Sequence, residues 1–575
     1  MTSAIKSAAV IAKRLAAHGV ERVFALCGGH IMQIWMALAD EGIEIVDVRD
    51  ERSAVYMAHA AAAVSGKLGV ALVTAGPGVT NAVTGIANAH MSRIPVLIVS
   101  GVPPMPQENR GALQDMSHIE IVRSITRYAR TVHHAHAVPR ELDAAIAAAQ
   151  GFAGELGPSF IDFPVDVQRD LVPSALVTGP GSVVAARPLS EAPSQALDEA
   201  AALISNSERV LVIAGRGANP AAQALSRFLD VSQSAYLDTG ETKGMIPDSH
   251  GSTIAAARGL AMKQADLVIT IGRKLDFQLA FGSPAVFKDA RFLRISDVAA
   301  ELLDNRPGDV NLLGGVATAL EGLSDRLAAS GLAASRQWLG QMRAEHESRA
   351  KRLDASLAAA PEDALGRIHP NRLLSEIRQR LDPDAVLIAD GGDFLSFARV
   401  ALNSRTYLDP GPLGCIGLAT PFALGAAKAA PGRQVVAVTG DGAFGFSAME
   451  IDTVVRQKAP VMIVISNNGS WAIEVRDQME SFGKVVGTEL QTADYAAMAR
   501  AFGMKAWRVA RHAEIGPALD EAFAVLEAGE PVLIDALTSP DAASSDSKSG
   551  LAWVPKYQAL EAWDIAERDW LGVPD

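Results

Sequence analysis

Along most of the chain, short runs of consecutive apolar residues alternate with stretches in which apolar residues recur every three or four positions. The runs Ala71-Leu72-Val73-Thr74, Val96-Leu97-Ile98-Val99, Val210-Leu211-Val212-Ile213, Leu267-Val268-Ile269-Thr270, Val435-Val436-Ala437-Val438 and Val461-Met462-Ile463-Val464-Ile465 read as strands. They are apolar on both faces, as strands buried inside parallel sheets are. The helical stretches between them predict βαβ units, hence an α/β fold of doubly wound parallel sheets. Two breaks interrupt the alternation: LVPSALVTGPGSVVAARPLSEAPS at 171–194, and a charged, Ala-rich helical stretch at about 335–365 that ends in APED. They divide the chain into expected domains at 1–175, 190–340 and 365–540, each of ordinary size. A tail at 541–575 begins DAASSDSKSG and carries Trp553, Trp563 and Trp570. So much aromatic surface is costly to leave in water, so the tail is expected to fold over a site as a lid or to dock on a neighbouring domain. There is no short-period repeat. The first and third domains are candidates for structural cousins.

Composition narrows the class. With 575 residues the chain is too long for one hydrophobic core. Apolar residues at 49% and charged residues at 20% exclude wholesale disorder. A net charge of −13 with no long basic run excludes a general binder of nucleic acid or anionic membrane. Cys27 and Cys415, the two cysteines, cannot build a disulfide framework or a Cys-rich zinc site. The N-terminal SAIKSAAVIAKRLAAHGV is a charged amphipathic helix without a secretory apolar core. No stretch approaches roughly 18 uncharged apolar residues, so no membrane span is expected. A soluble cytoplasmic protein is the expectation.

The candidate chemistry lies in the third domain. Val438-Thr439-Gly440-Asp441-Gly442 closes a predicted strand and opens a predicted helix. Glycines flanking an aspartate let backbone N–H groups approach a phosphate while the carboxylate holds a hard cation. Gly-Asp-Gly alone is also a common turn. Twenty-five residues after Gly442, at the end of the next apolar run, come Asn467 and Asn468. Parallel strands bring their C-terminal ends to one sheet edge, so the Asn468 amide oxygen could join Asp441 on one ion. Diphosphate oxygens, water and a main-chain carbonyl would complete the six-oxygen shell of Mg²⁺.

This pair of motifs resembles the diphosphate-binding signature of thiamine-diphosphate-dependent enzymes, and the resemblance extends over residues 1–540. It implies a pyrimidine-binding first domain, a middle domain and a diphosphate-binding third domain. It also implies thiamine diphosphate with Mg²⁺ held between the first domain of one subunit and the third of its partner, in a homodimer or homotetramer. In the family, a glutamate after an early strand hydrogen-bonds the cofactor's aminopyrimidine and favours the tautomer that generates the reactive ylide. Here IEIVDVRD leads into Glu51, which could otherwise be a charged helix N-cap. Thr74-Ala75-Gly76-Pro77-Gly78-Val79-Thr80-Asn81 is similar to the family's Gly-Pro-Gly turn, and Leu413-Gly414-Cys415-Ile416-Gly417 to its pyrimidine-holding loop. Ile416 would be the apolar wedge that bends the cofactor, and Gly414 the acceptor for its amino group. Asp390-Gly391-Gly392 ends another strand and would supply diphosphate-binding amides. The implied cofactor contacts thus fall on Gly76, Asn81, Gly391, Gly392, Gly414, Ile416, Gly440, Asp441, Gly442, Ala443, Asn468, Ser470 and Ile473, with Asp441, Asn468 and Ser470 on the metal.

Side chains near the thiazolium distinguish members of the family. Trp471-Ala472-Ile473-Glu474 puts Glu474 at a helix start, where a carboxylic acid could shuttle protons. A glutamate at this offset resembles 2-oxoacid decarboxylases, whereas acetolactate synthases have an apolar residue there. The decarboxylase histidine pair is replaced by Ala112-Leu113-Gln114-Asp115-Met116, and Gln114 resembles acetolactate synthase, benzaldehyde lyase and related lyases. His133 and His134 come too late to replace that pair and are expected on the surface. Cys27-Gly28-Gly29-His30-Ile31 resembles the benzaldehyde lyase loop, with His30 as its proton-handling residue or as a structural histidine.

In the middle domain, Ala214-Gly215-Arg216-Gly217-Ala218 and Ile271-Gly272-Arg273-Lys274-Leu275-Asp276 end predicted strands. In relatives such loops hold FAD, ADP, an acyl-CoA adenine moiety or nothing. Arg216, Arg273 and Lys274 would either bind phosphate, with ADP or CoA favoured over FAD, or be surface cations. The motifs together imply a carbon–carbon lyase or carboligase similar to 2-hydroxyacyl-CoA lyases and benzaldehyde lyase, releasing an aldehyde or ketone and formyl-CoA. Alternatives are an acetolactate-synthase-like carboligase, a 2-oxoacid decarboxylase and an inactive nucleotide-binding regulatory subunit.

Overall fold

The computed structural model describes residues 4–152, 154–176, 187, 189–330 and 337–544. Three parallel sheets follow one another along the chain. The first contains β1 (Arg22–Ala25), β2 (Glu44–Asp47), β3 (Gly69–Val73), β4 (Val96–Val102), β5 (Tyr128–Thr131) and β6 (Ser159–Pro164), in the spatial order 2-1-3-4-6-5. The second contains β7 (Val210–Ala214), β8 (Ala235–Leu237), β9 (Leu267–Ile271), β10 (Arg291–Ser296) and β11 (Val310–Leu313), in the order 8-7-9-10-11. The third contains β12 (Val386–Ala389), β13 (Thr406–Leu408), β14 (Val435–Gly440), β15 (Met462–Asn467), β16 (Lys505–Val509) and β17 (Val532–Leu537), in the order 13-12-14-15-17-16. Every pairing within these three sheets is parallel. Each of the six apolar runs picked out in the sequence lies in one of these strands or overlaps it by all but a terminal residue.

The first and third sheets share one topology, so the expected kinship between those domains is present in the strand order itself. In both, the chain leaves the second strand on one side of the first and the third on the other. That reversal opens a crevice at the C-terminal strand ends, where sheets of this class bind ligands. The third sheet reverses between β12 and β14. The long linker stretch is a single helix, Gln337–Ala358.

The first and third domains are packed together within the chain. Helix α1 (Glu51–Ser65) lies against helix α3 (Ala419–Ala429), and helix α2 (Pro77–Met91) flanks α1. Tyr56 meets Phe422 edge-on with ring centroids 5.8 Å apart, and His59 stacks obliquely on the same ring at 4.9 Å. Gly425 faces the Met57 carbonyl so closely that a Cβ there has no room. One core cluster therefore runs from Val46 and Val73 of the first sheet to Ala437 and Ile463 of the third. Among the described residues no helix is long and apolar enough to cross a membrane.

Candidate active site

Four loops meet at the C-terminal end of the third sheet. After β12, Gly391 adopts φ +100°, which a side chain resists, and a Cβ there would stand 3.2 Å from the Gly440 amide at the end of β14. The loops after β12 and β14 thus abut at the crevice. Gly392 faces Ile473, whose Cδ1 would lie 3.0 Å from an added Cβ. Gly442 faces the Trp471 ring, 2.6 Å from an added Cβ. Gly417, next to Ile416, faces Phe446 and the Ala443 carbonyl. Gly391, Gly392, Ile416, Gly440, Asp441, Gly442, Ala443, Asn468, Ser470 and Ile473 are therefore assembled in one place. Ile416 is half-buried, and Gly414 is exposed in a left-handed conformation with φ +68°.

Asp441 is buried, and its Oδ2 accepts the Gly469 N–H at 2.9 Å. Burial pushes its carboxyl up to about 6 despite several amide donors. The Asn468 Oδ1 accepts from the Ser470 N–H at 3.0 Å and the Ser470 hydroxyl at 3.2 Å. One carboxylate, one amide oxygen and one hydroxyl form an all-oxygen donor set that suits Mg²⁺, and a cation would favour the charged form that burial opposes. No group of three or more His, Cys, Asp or Glu converges among the described residues, so ligand oxygens would have to complete the shell. As expected, the strand ends at Gly440 and a helix opens at Asp441; it is one short turn, Asp441–Phe444, followed by the helix Glu450–Arg456.

Asp390 has a different job from its glycine neighbours. Its Oδ2 accepts from the N–H groups of Gly417, Leu418 and Ala419 at 2.8–3.0 Å, and its Oδ1 accepts from Gly391. It ties the loop after β12 to the start of α3, and so fixes the segment that carries Ile416.

Glu474 lies in the first turn of helix α4 (Ala472–Phe482), two residues beyond the buried Ala472. Its side chain reaches solvent, yet surrounding protein lifts its carboxyl above the usual range, helped by Asp393 and Asp477; a contact with its own amide works the other way. Asp393 also accepts the Ser544 N–H at 3.2 Å, and the Ala542 carbonyl accepts from Arg476 of α4 at 3.0 Å. The start of the tail is thus anchored beside Glu474. Trp553, Trp563 and Trp570 lie outside the described residues.

The first-domain candidates gather at the C-terminal end of their own sheet. Glu51 opens α1 and is buried, and its Oε2 accepts the Asn81 side-chain amide of α2 at 3.0 Å. Gly76, with φ +61°, is the turn that starts α2. Gln114 has φ +64° and packs on Gly76, where an added Cβ would stand 2.9 Å from its own. His30 stands beside Gln114 and His118; burial, with His118 nearby, lowers the imidazole's affinity for a proton, while Gln114 works the other way. His133 and His134 are exposed, as expected. The turn into α1 touches the third domain directly: the Arg49 N–H donates to Glu450 at 3.1 Å and Arg52 to the Phe446 carbonyl at 2.8 Å.

Two buried residues in this cluster were not singled out in the sequence. His118 accepts the Gly76 N–H at 2.8 Å on Nε2, and its Nδ1 faces Asp162 at 3.3 Å. They are 44 positions apart in the chain, and only the strand order shows that they meet.

The middle-domain cations are engaged within the chain. Arg216 pairs with Glu241 and donates to the Met91 carbonyl. Arg273 is fully buried on Asp276 and Gln278 at 2.7–2.9 Å. Lys274 alone of the three is exposed.

Comparison with known proteins adds the family. The thiamine pyrophosphate enzyme N-terminal TPP binding domain matches residues 5–121, the central domain matches 197–323 and the C-terminal TPP binding domain matches 390–536. The chain is 34% identical over 546 residues to a Mycobacterium tuberculosis protein named acetolactate synthase large subunit IlvG, covering 93% of this chain and 96% of that one. It is 31% identical over 576 residues to human 2-hydroxyacyl-CoA lyase 2, covering 92% and 89%. The Caenorhabditis elegans 2-hydroxyacyl-CoA lyase 2 is also 31% identical, over 91% of this chain and 87% of that one.

Proposed function

The chain belongs to the family of thiamine-diphosphate-dependent enzymes, and on that premise we propose that it is a carbon–carbon lyase that splits a 2-hydroxyacyl-CoA into an aldehyde or ketone and formyl-CoA. Thiamine diphosphate, when bound, supplies the carbon nucleophile that such a cleavage needs. In this reading Asp441, Asn468 and Ser470 hold Mg²⁺, and the amides around Gly391, Gly392, Gly440, Gly442 and Ala443 take the diphosphate. Ile416 and Gly414 hold the pyrimidine ring, while Glu51 bonds to it and moves its proton. The substrate's C1–C2 bond breaks, its hydroxyl proton leaves as the new carbonyl forms, and a proton is delivered to C1 to give formyl-CoA. Glu474 and His30 handle those two protons, and the Gln114 amide hydrogen-bonds the reacting group.

The observation that carries this reading is the place of Glu474, a carboxyl in the first turn of α4 next to Ile473 and the glycine loops, raised above its ordinary range by the surrounding protein. A proton must be both taken and returned in the cleavage, and a carboxyl placed beside the reacting atoms can do both. The likeness to 2-hydroxyacyl-CoA lyase 2 supports the choice of substrate. With Arg216 and Arg273 paired internally, Lys274 is the cation left for a CoA or ADP phosphate. Exposed Leu413, Phe446 and Met449 at the site's edge support assembly with a second copy, as a homodimer or homotetramer.

A second reading, an acetolactate-synthase-like carboligase, is favoured by Gln114 and by the likeness to the mycobacterial protein. A panel of 2-hydroxyacyl-CoAs, benzoin and pyruvate, assayed with thiamine diphosphate and Mg²⁺, separates the two. Formyl-CoA from the first group is the expected result, and acetolactate from pyruvate alone would select the second reading.

A further inference from the structure

The buried pair His118–Asp162 lies behind the first-domain cluster without being one of its surface groups. Both side chains are at most 1% exposed. The Gly76 N–H can only donate, so the His118 Nε2 that faces it at 2.8 Å carries the lone pair. The ring proton then sits on Nδ1 and points at the Asp162 carboxylate, 3.3 Å away. Asp162 itself accepts from the Thr131 hydroxyl at 3.4 Å, and the His118 ring stands edge-on to Phe160. The imidazole therefore has one tautomer and one orientation.

What it holds is the start of α2. Gly76 is the N-cap of that helix, in a conformation (φ +61°, ψ −112°) that a residue with a side chain would resist. One turn further on, Asn81 donates to Glu51, while Gln114 packs on Gly76 itself. We propose that Asp162 and His118 are positioning residues: by anchoring the Gly76 amide they fix the helix start that presents Asn81 to Glu51 and the seat on which Gln114 rests. The step from this anchor to catalysis rests on Glu51 being the cofactor-activating residue.

The test uses His118→Gln and His118→Asn, which each keep one half of the imidazole. A Gln side chain reaches as far as Nε2 and offers an acceptor to Gly76. An Asn side chain reaches only to Nδ1 and keeps the contact with Asp162 alone. Hydrogen exchange over residues 74–81, read in the protein without cofactor, is expected to accelerate about tenfold in the Asn variant and to stay within about threefold of wild type in the Gln variant. Exchange of the C2 proton of bound thiamine diphosphate is expected to slow about tenfold in the Asn variant only. Equal behaviour of the two variants, or the reverse order, overturns the proposal. Amide exchange that separates them while C2 exchange does not would uphold the anchor and overturn its link to Glu51. If the variants do not fold, ring ¹⁵N shifts of wild-type His118 decide: a neutral ring protonated at Nδ1 is required, and one protonated at Nε2 overturns the assignment.

Discussion

Asn81 donates its side-chain amide to the carboxylate of Glu51 across 3.0 Å, joining the second turn of α2 to the first residue of α1. Glu51 is buried, and a buried carboxylate without partners is costly, so this bond holds the side chain in one orientation. Glu51→Gln keeps the size and most of the packing but cannot carry the charge. Cofactor affinity should be close to wild type, while C2-proton exchange slows by about 10²–10⁴. Unchanged exchange, measured by deuterium quench, would remove Glu51 from the chemistry.

Asp441→Ala takes away the one carboxylate of the proposed metal site and leaves the Gly469 N–H without its acceptor. Thiamine diphosphate retention should lose its dependence on Mg²⁺, with affinity falling by about tenfold or more. Fluorescence titration with and without Mg²⁺ checks this, and undiminished Mg²⁺-dependent binding would refute the assignment.

Glu474 gives a pH signature. Although its side chain reaches solvent, its carboxyl is raised above the ordinary range, chiefly by the protein packed around it and then by Asp393 and Asp477. A raised carboxyl contributes stability that is complete below the unfolded value and lost as pH rises through the folded one. Relative to Glu474→Gln, the wild type should therefore lose melting temperature as pH rises through that window. The same variant should lose about 10²–10⁴ in single-turnover rate and its alkaline limb with it. A variant with wild-type rate would leave Glu474 as a helix-start residue only.

Gly425→Ala probes the packing of the first domain on the third. The added methyl would run into the Met57 carbonyl, which is backbone and cannot swing away. A loss of about 1–3 kcal/mol is expected from overpacking, measured by denaturant melts. Unchanged stability would mean that α1 and α3 are further apart than described.

The sequence is most legible where chemistry and chain order coincide. Asp441 and Asn468 each end a strand, so apolar periodicity alone locates them, and parallel topology then brings them to one edge. Glycines such as Gly391 and Gly442 stand where loops close on one another, which is why their spacing was informative. His118 and Asp162 were not legible, because a single histidine in DMSHIEIV carries no period and its partner stands on a strand 44 residues away. The same limit applies to Arg216 and Arg273. At strand ends they look available for phosphate, but the carboxylates of Glu241 and Asp276 that occupy them become neighbours only after folding. Asp390 read as one member of a phosphate-binding Asp-Gly-Gly loop, whereas its carboxylate reaches 27 residues onward to gather the amides of Gly417–Ala419.

The central claim is cleavage of a 2-hydroxyacyl-CoA with proton transfer through Glu474. The most direct measurement is the stoichiometry of products from the enzyme loaded with thiamine diphosphate and Mg²⁺ and supplied with a 2-hydroxyacyl-CoA. Formyl-CoA and aldehyde in equal amounts, both suppressed by Glu474→Gln, are predicted. No formyl-CoA from any chain length, with acetolactate formed from pyruvate by the same preparation, would contradict it.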